Sequence, residues 1–410
     1  MPDTLSAVTL IGMLVCIIGV TIDLQFAPSV PPQVRARIRR AWSRCAAPDG
    51  AQASFEVAVS LGQSDSAPSG EARARRRIVA DNAALLEQQV ATWLTLWAIE
   101  IRRSSMWLFH AVGLADGEGR TIGLAAPSHT GKTTVASTWG RQFGYVTDET
   151  LAVQPGSLRV EPYPKPLSVI RQPGEPKHQV GPDELGLMRP SGDLRLVRLG
   201  LLARQPGIRE PRLERIGLRE ALFELAPQIS LLGGRDRPLQ ALSELIAGLG
   251  GAVRVVYGEA ADLGEVLGSL MHDPTPVARE WEPAASGDLR AGLGEDPASA
   301  RARADAATVF RRSPGVADAI WAGGGLVVLS DGTRLSHLEG LGVAIWDALG
   351  SPLPYESLRS AVLERMPPPP SDADVGAAVD EAIEVLERQG IVFADGRGDS
   401  AGVLGNGVED

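Results

Sequence analysis

Apolar and polar residues alternate through Val20, Thr21, Ile22, Asp23, Leu24, Gln25 and Phe26, the period of a half-buried strand. The apolar residues upstream extend it, and the pattern predicts a strand over 13–27. Pro31 and Pro32 then open a helix reaching about Cys45, with Val34, Ile38 and Trp42 at helical spacing. After a Ser/Gly/Ala loop at 62–74, a second helix is predicted over 81–102. On it Val90, Trp93, Leu94, Trp97 and Ile101 form one apolar stripe, and that spacing alone makes the two tryptophans core residues rather than a ligand platform. Two apolar runs follow, Met106 to Ala115 and Thr121 to Ala126. Asp116-Gly117-Glu118-Gly119 between them reads as a hairpin turn. Apolar runs and short helices continue to about 271.

Past that point the pattern fades. Residues 272–305 hold Pro, Gly, Ala, Asp and Arg with little periodicity and are expected to be a linker. A smaller unit is expected over 306–396. Leu326-Val327-Val328-Leu329 is its predicted strand, Asp331-Gly332 the turn, and Thr333 to Leu338 the partner strand. One helix carries Gly342, Ala344, Ile345, Trp346 and Leu349, with Trp346 expected in the core. A second runs from Leu353 to Arg365, and a third from Asp374 to Gln389, stopping at Gly390. Ile391-Val392-Phe393 closes the unit as a strand. The Gly- and Asp-rich tail at 397–410 is expected to be disordered.

Composition narrows the function classes. The 410 residues are 44% hydrophobic, enough for real cores in two or three domains. A formal charge of −10 argues against a nucleic-acid partner. Cys16 and Cys45 form no C-x-x-C pair, so neither a structural zinc site nor a disulfide framework is expected, which suits a cytoplasmic protein. The uncharged stretch Leu5 to Ile22 is about the minimum spanning length, and Arg35, Arg37, Arg39 and Arg40 follow it. Its alternation favours a strand over the competing membrane anchor. With Met13 as an alternative start, residues 1–12 read as an extension ahead of a first domain at 13–271.

The second hairpin run leads into Ala126-Pro127-Ser128-His129-Thr130-Gly131-Lys132-Thr133-Thr134. This is the strand–loop–helix arrangement of a P-loop, in which backbone N–H groups and a helix start surround phosphates. The nine residues would hold ATP, with Lys132 on the β and γ phosphates and the Thr133 hydroxyl on Mg²⁺. Ala126 replaces the first glycine of the pattern G-x-x-x-x-G-K-[ST], and His129 stands where many such loops carry another.

Downstream, Gly144-Tyr145-Val146-Thr147 ends in Asp148-Glu149. Phosphoryl transfer needs one carboxylate to orient or deprotonate the acceptor and another near the metal. Neighbours on an extended chain point to opposite faces, so both serve one site only if the strand breaks there. His110, between Phe109 and Ala111, reads equally as a packed core residue. Arg204 and Arg237 are further cations that could face a γ-phosphate, although surface ion pairing explains each more simply.

From His110 through the loop to Asp148-Glu149, and on to Pro162-Tyr163-Pro164-Lys165-Pro166-Leu167-Ser168, the chain resembles the HPr kinase/phosphorylase superfamily. The closer likeness is to its relatives found beside peptide-modification genes. The resemblance implies an α/β P-loop kinase-like domain with a mixed sheet. It implies Asp148 as base toward a hydroxyl, Glu149 or Thr133 near Mg²⁺, and His110 moved toward the site. Lys132 completes the catalytic set. The segment that contacts the protein substrate in true HPr kinases is not recognisable, so HPr itself is not implied. Members of that family form homo-oligomers, a further expectation here.

The strand–helix–helix–helix plan near the C-terminus, with Ile345-Trp346 and Leu386-Glu387-Arg388-Gln389-Gly390-Ile391, resembles a PqqD-like peptide-recognition domain. That implies a small α+β, winged-helix-like unit that takes the leader of a precursor peptide as an added strand. The function expected from both resemblances is an ATP-dependent kinase acting on a hydroxyl of a peptide or protein. The alternative is a catalytically silent nucleotide-binding regulator or scaffold of a peptide-modifying complex.

Overall fold

The computed structural model describes residues 11–62, 76–128, 130–169, 177–284, 308–366 and 374–395. Its contacts divide the chain into Met1–Ser230 with Ile246–Val277, and Leu231–Leu245 with Ala278–Asp410. Each unit is mixed α/β.

The first unit opens with β1 (Ile11–Ile17) and β2 (Val20–Phe26), paired antiparallel. One strand over 13–27 was the expectation; Ile18 and Gly19, both at positive φ, instead turn the chain back, and β1 takes in the last residues of the expected extension. The alternation still decides the faces, since Val20, Ile22, Leu24 and Phe26 are buried. After α1 (Pro32–Ala41), β3 (Phe55–Leu61) and β4 (Arg76–Ala80) add in parallel to give the order β1-β2-β3-β4. Helix α1 ends short of Cys45, which lies in a separate 3₁₀ turn. In α2 (Ala83–Arg102), the Asn82 side chain caps the N-terminus by accepting from Leu85 N at 2.9 Å.

The stripe on α2 is only partly core. Val90 and Leu94 are buried, but Trp93 is 42% exposed and stacks on Trp97, with ring centroids 5.6 Å apart. Arg76 lies over the rings of Phe55 and Trp97. The tryptophans therefore form a half-open aromatic ladder, which an apolar period alone does not distinguish from a core stripe.

The second sheet carries the loop. It contains β5 (Trp107–Ala115), β6 (Arg120–Ala125), β7 (Gly144–Thr147), β8 (Thr150–Val153), β9 (Val160–Glu161), β12 (Arg195–Arg204), β13 (Arg212–Arg215) and β14 (Val253–Tyr257). Between them β10 (Leu167–Val169) and β11 (His178–Val180) form a small separate pair. The strand order is β13-β14-β12-β6-β5-β8-β9, with β7 also on β5. Strands β6, β12 and β14 run parallel, so their C-terminal ends share one edge. Helices α3 (Lys132–Trp139), α4 (Leu218–Leu225) and α6 (Gly264–Leu270) accompany this sheet. Trp139 Nε1 donates to Ala260 O in the core beneath α3.

The first of these units is not contiguous in sequence. The boundary falls within α5 (Pro238–Gly248), and Leu231–Leu245 groups with the C-terminal residues. Within the second unit, Asp318 is a buried carboxylate that accepts from Leu239 N at 2.9 Å and Gln240 N at 3.0 Å.

In the second unit, β15 (Trp281–Pro283) lies inside the expected linker and pairs with β17 (Val316–Ala322). Strands β18 (Gly325–Ser330) and β19 (Arg334–Leu338) follow, giving the order β15-β17-β18-β19. A second sheet joins β16 (Val309–Arg312), β20 (Leu353–Pro354) and β21 (Val392–Asp395). Helices α7 (Leu341–Ala348), α8 (Tyr355–Arg365) and α9 (Val375–Arg388) pack on a core that includes Trp346, Leu358, Val379 and Ile383. Most of the expected linker, most of the 62–74 loop and the 397–410 tail lie outside the described residues. Among the described residues, no helix is long and apolar enough to cross a membrane.

Candidate functional site

Strand β6 delivers the loop and α3 leaves it. Gly131, at φ +101°, is the left-handed residue through which the chain enters the helix. A side chain there would also meet Tyr257 Oη at 2.8 Å. Tyr257, at the end of β14, donates to Thr130 O at 2.9 Å, and Thr130 Oγ1 donates to Pro127 O at 2.8 Å. The parallel strands thus tie the loop from beside and within. Ala126 is buried, Pro127, Ser128 and Thr134 face solvent, and His129 lies outside the described residues.

Lys132 is the first residue of α3 and is buried. Its Nζ donates to Ala126 O at 2.6 Å and Pro127 O at 2.9 Å. Burial lowers its pKa to about 8, with the charges of Asp148 and Glu149 acting in the opposite sense. Thr133 turns its hydroxyl toward the carboxylates: Oγ1 donates to Asp148 Oδ2 at 2.9 Å.

The strand carrying Asp148 and Glu149 does break. Strand β7 pairs with β5 over Gly113 to Ala115, β8 pairs with it over Trp107 to His110, and the two acids fill the gap. Thr147 Oγ1 shapes the break by accepting from Glu149 N and Thr150 N. Both carboxylates consequently reach one cation, Lys165, whose Nζ lies 3.2 Å from Asp148 Oδ1 and 3.0 Å from Glu149 Oε2. Burial works against the charge of Lys165, but the two carboxylates outweigh it and its pKa stands above the ordinary value. Tyr145 Oη adds a 2.9 Å bond to Asp148 Oδ1; burial, then that neighbouring charge, raise the phenol well above its usual range.

His110 joins this group through its ring, with Nδ1 3.1 Å from Glu149 O. Burial and then the charge of Lys132 lower its pKa, which favours the neutral imidazole. Arg204 ends β12 and pairs with Glu259 at 3.0 Å, whereas Arg237 belongs to the other unit.

The structure therefore gathers Lys132, Thr133, Asp148, Glu149 and His110, and adds Lys165, Tyr145 and Tyr257, which sequence reasoning gave no role. The Pro162–Pro166 run was a visible signal for Lys165. Nothing in the spacing paired it with Asp148. Among the described residues, there is no group of three or more His, Cys, Asp or Glu that could hold a metal ion.

No family model matches the chain, and no curated protein matches it.

Proposed function

We propose that the chain is an ATP-dependent kinase that transfers the γ-phosphoryl group to a hydroxyl of a peptide or protein. The observation that carries this reading is the 2.9 Å bond from Thr133 to Asp148, which closes a lysine-bearing loop onto a carboxylate pair. HPr kinase-like architecture is part of the proposal, supported by the loop between β6 and α3 and by the broken β7–β8 edge.

The residues present fit Mg²⁺ and a nucleotide. Thr133, Asp148 and Glu149 offer hard oxygens, the donor type Mg²⁺ takes, in the small protein share it needs when phosphates supply the rest. Bound Mg²⁺ would neutralise phosphate charge. Lys132 would exchange its bonds to Ala126 O and Pro127 O for phosphate oxygens. Asp148 would take the proton of the attacking hydroxyl as the new O–P bond forms and the bond to the leaving ADP oxygen breaks. Thr133 and Glu149 would hold the metal side, and His110 would stay hydrogen-bonded behind Glu149.

The second unit is proposed to recruit the substrate as a PqqD-like module. Its support is the sheet order, in which β19 is terminal and could receive a peptide strand. Tethering would raise the acceptor's concentration near the loop.

A silent nucleotide-binding regulator is the second reading. It is favoured by Lys132 resting on its own loop carbonyls and by Ala126 in place of glycine. Incubation with γ-labelled ATP, Mg²⁺ and Ser/Thr-bearing peptides separates the two. The kinase reading expects labelled peptide from the parent and a loss of about 10²-fold or more in Asp148→Ala. Binding without any transfer favours the regulator.

A further inference from the structure

Lys165 is the most completely enclosed cation of the site, its side chain 4% exposed. An ammonium has three donors, and three oxygens take them: Asp148 Oδ1 at 3.2 Å, Glu149 Oε2 at 3.0 Å and Pro166 O at 3.1 Å. The segment carrying it is stiff. Pro162, Pro164 and Pro166 fix their own φ angles, and Tyr163 N donates to Val146 O of β7 at 3.0 Å. Tyr145 Oη lies 2.9 Å from Asp148 Oδ1 and 3.2 Å from Lys165 O, its single proton serving the shorter contact. Phenol and ammonium thus both hold Asp148 Oδ1 and leave Asp148 Oδ2 facing Thr133.

Stability alone is a weak explanation for this arrangement. Removing three charges from water is costly, and a packed apolar side chain often does as well as a buried ion pair. What the ammonium supplies is direction. Adjacent acids on a chain repel and diverge, and one cation between them holds both on one side. A carboxylate that supports a metal site is only as well aimed as the groups behind it.

We propose, resting on the phosphate-loop reading above, that Lys165 is a positioning residue that clamps Asp148 and Glu149 into one acidic pair beside Thr133, so that the Mg²⁺-dependent part of nucleotide binding depends on it. It acts through the two acids and is not itself a phosphate ligand. Lys132 and Lys165 therefore divide the work: the first serves the anion, the second the acids.

The test is titration calorimetry of the full chain with ATP, in EDTA and in Mg²⁺, for the parent, Lys165→Met, Lys165→Arg and Tyr145→Phe. The Mg²⁺ gain is the ratio of the two affinities. Lys165→Met is expected to keep the parent's metal-free affinity within about twofold and to cut the Mg²⁺ gain by about 10- to 100-fold. Lys165→Arg should restore part of the gain, since it keeps the charge. Tyr145→Phe, which removes one hydroxyl, should cut the gain by about fivefold and carries the test if Lys165→Met does not fold. A Mg²⁺ gain equal to the parent's in folded Lys165→Met, or in Tyr145→Phe if that variant alone folds, overturns the inference and leaves the phosphate loop standing. Equal losses with and without Mg²⁺ also overturn it, because they mark a purely structural role. A parent that takes up no ATP at all removes the loop reading and this inference together.

Discussion

Thr133 Oγ1 donates to Asp148 Oδ2 at 2.9 Å across 15 residues of chain, joining the start of α3 to the break between β7 and β8. Asp148 is buried, so its oxygens depend on protein donors. Thr133→Val keeps the shape and deletes the donor, and should destabilise the unit by about 1–3 kcal/mol in urea unfolding. Thr133→Ser should recover most of the loss. A Thr133→Val change within about 0.5 kcal/mol of the parent would mean the bond contributes nothing to folding.

Lys132 gives the site a pH signature. Its pKa of about 8 is depressed from the ordinary value, so its charge is lost on passing from neutral to alkaline pH. On the proposed kinase reading, the protonated form is the one that would face phosphate. ATP affinity should therefore be nearly flat below about pH 7.5 and fall by up to about tenfold per pH unit above pH 8. Binding near pH 8.5 should take up a proton, visible as a dependence of the calorimetric heat on buffer ionisation. Lys132→Ala should bind weakly and lose the slope. A parent slope that survives in Lys132→Ala would assign it to another group.

Gly113 and Gly123 pair across β5 and β6, and Leu151 of β8 lies over both. A Cβ on Gly123 would clash with Leu151 Cδ2. Gly123→Ala should cost about 1–3 kcal/mol through overpacking in the strand that delivers the loop. Shortening the opposing side chain in Gly123→Ala/Leu151→Val should return part of it. Additive losses in the double variant, measured by thermal unfolding, would count against the clash.

Much of this architecture was legible where pattern and turn chemistry agree. The alternation at Val20–Phe26 placed β2 and its buried face, Asp116–Gly119 placed the β5–β6 hairpin, and the terminal run of strand and helices followed the C-terminal pattern. The turn at Ile18-Gly19 was hidden because Ile18, a β-branched residue at φ 52°, continues the apolar run instead of interrupting it. Strand β15 has three residues, too few to show a period. At the site, Lys132, Thr133 and the two acids lie on a local motif and could be singled out. Lys165 and Tyr257 reach the site only through sheet pairing and a distant segment, which one sequence does not reveal.

Asp318 makes a separable prediction for the second unit. It accepts from Leu239 N, Gln240 N, Gln240 Nε2 and Ala319 N, and so caps the start of α5. Asp318→Ala leaves those donors unpaired, and should cost about 1–3 kcal/mol and open the Leu231–Leu245 segment to protease. Asp318→Asn should be milder, because its carbonyl still accepts. ATP binding by the first unit should be unchanged in both. Protease resistance equal to the parent's in Asp318→Ala would show that the cap does not hold the segment.

The most direct measurement of the central claim is a crystal structure of the chain with ADP and Mg²⁺. The account predicts diphosphate oxygens at the N-terminus of α3, Lys132 Nζ turned from Ala126 O and Pro127 O onto phosphate, and Mg²⁺ beside Thr133. Nucleotide bound elsewhere, or absent at saturating concentration with Lys132 still on the two carbonyls, would contradict it.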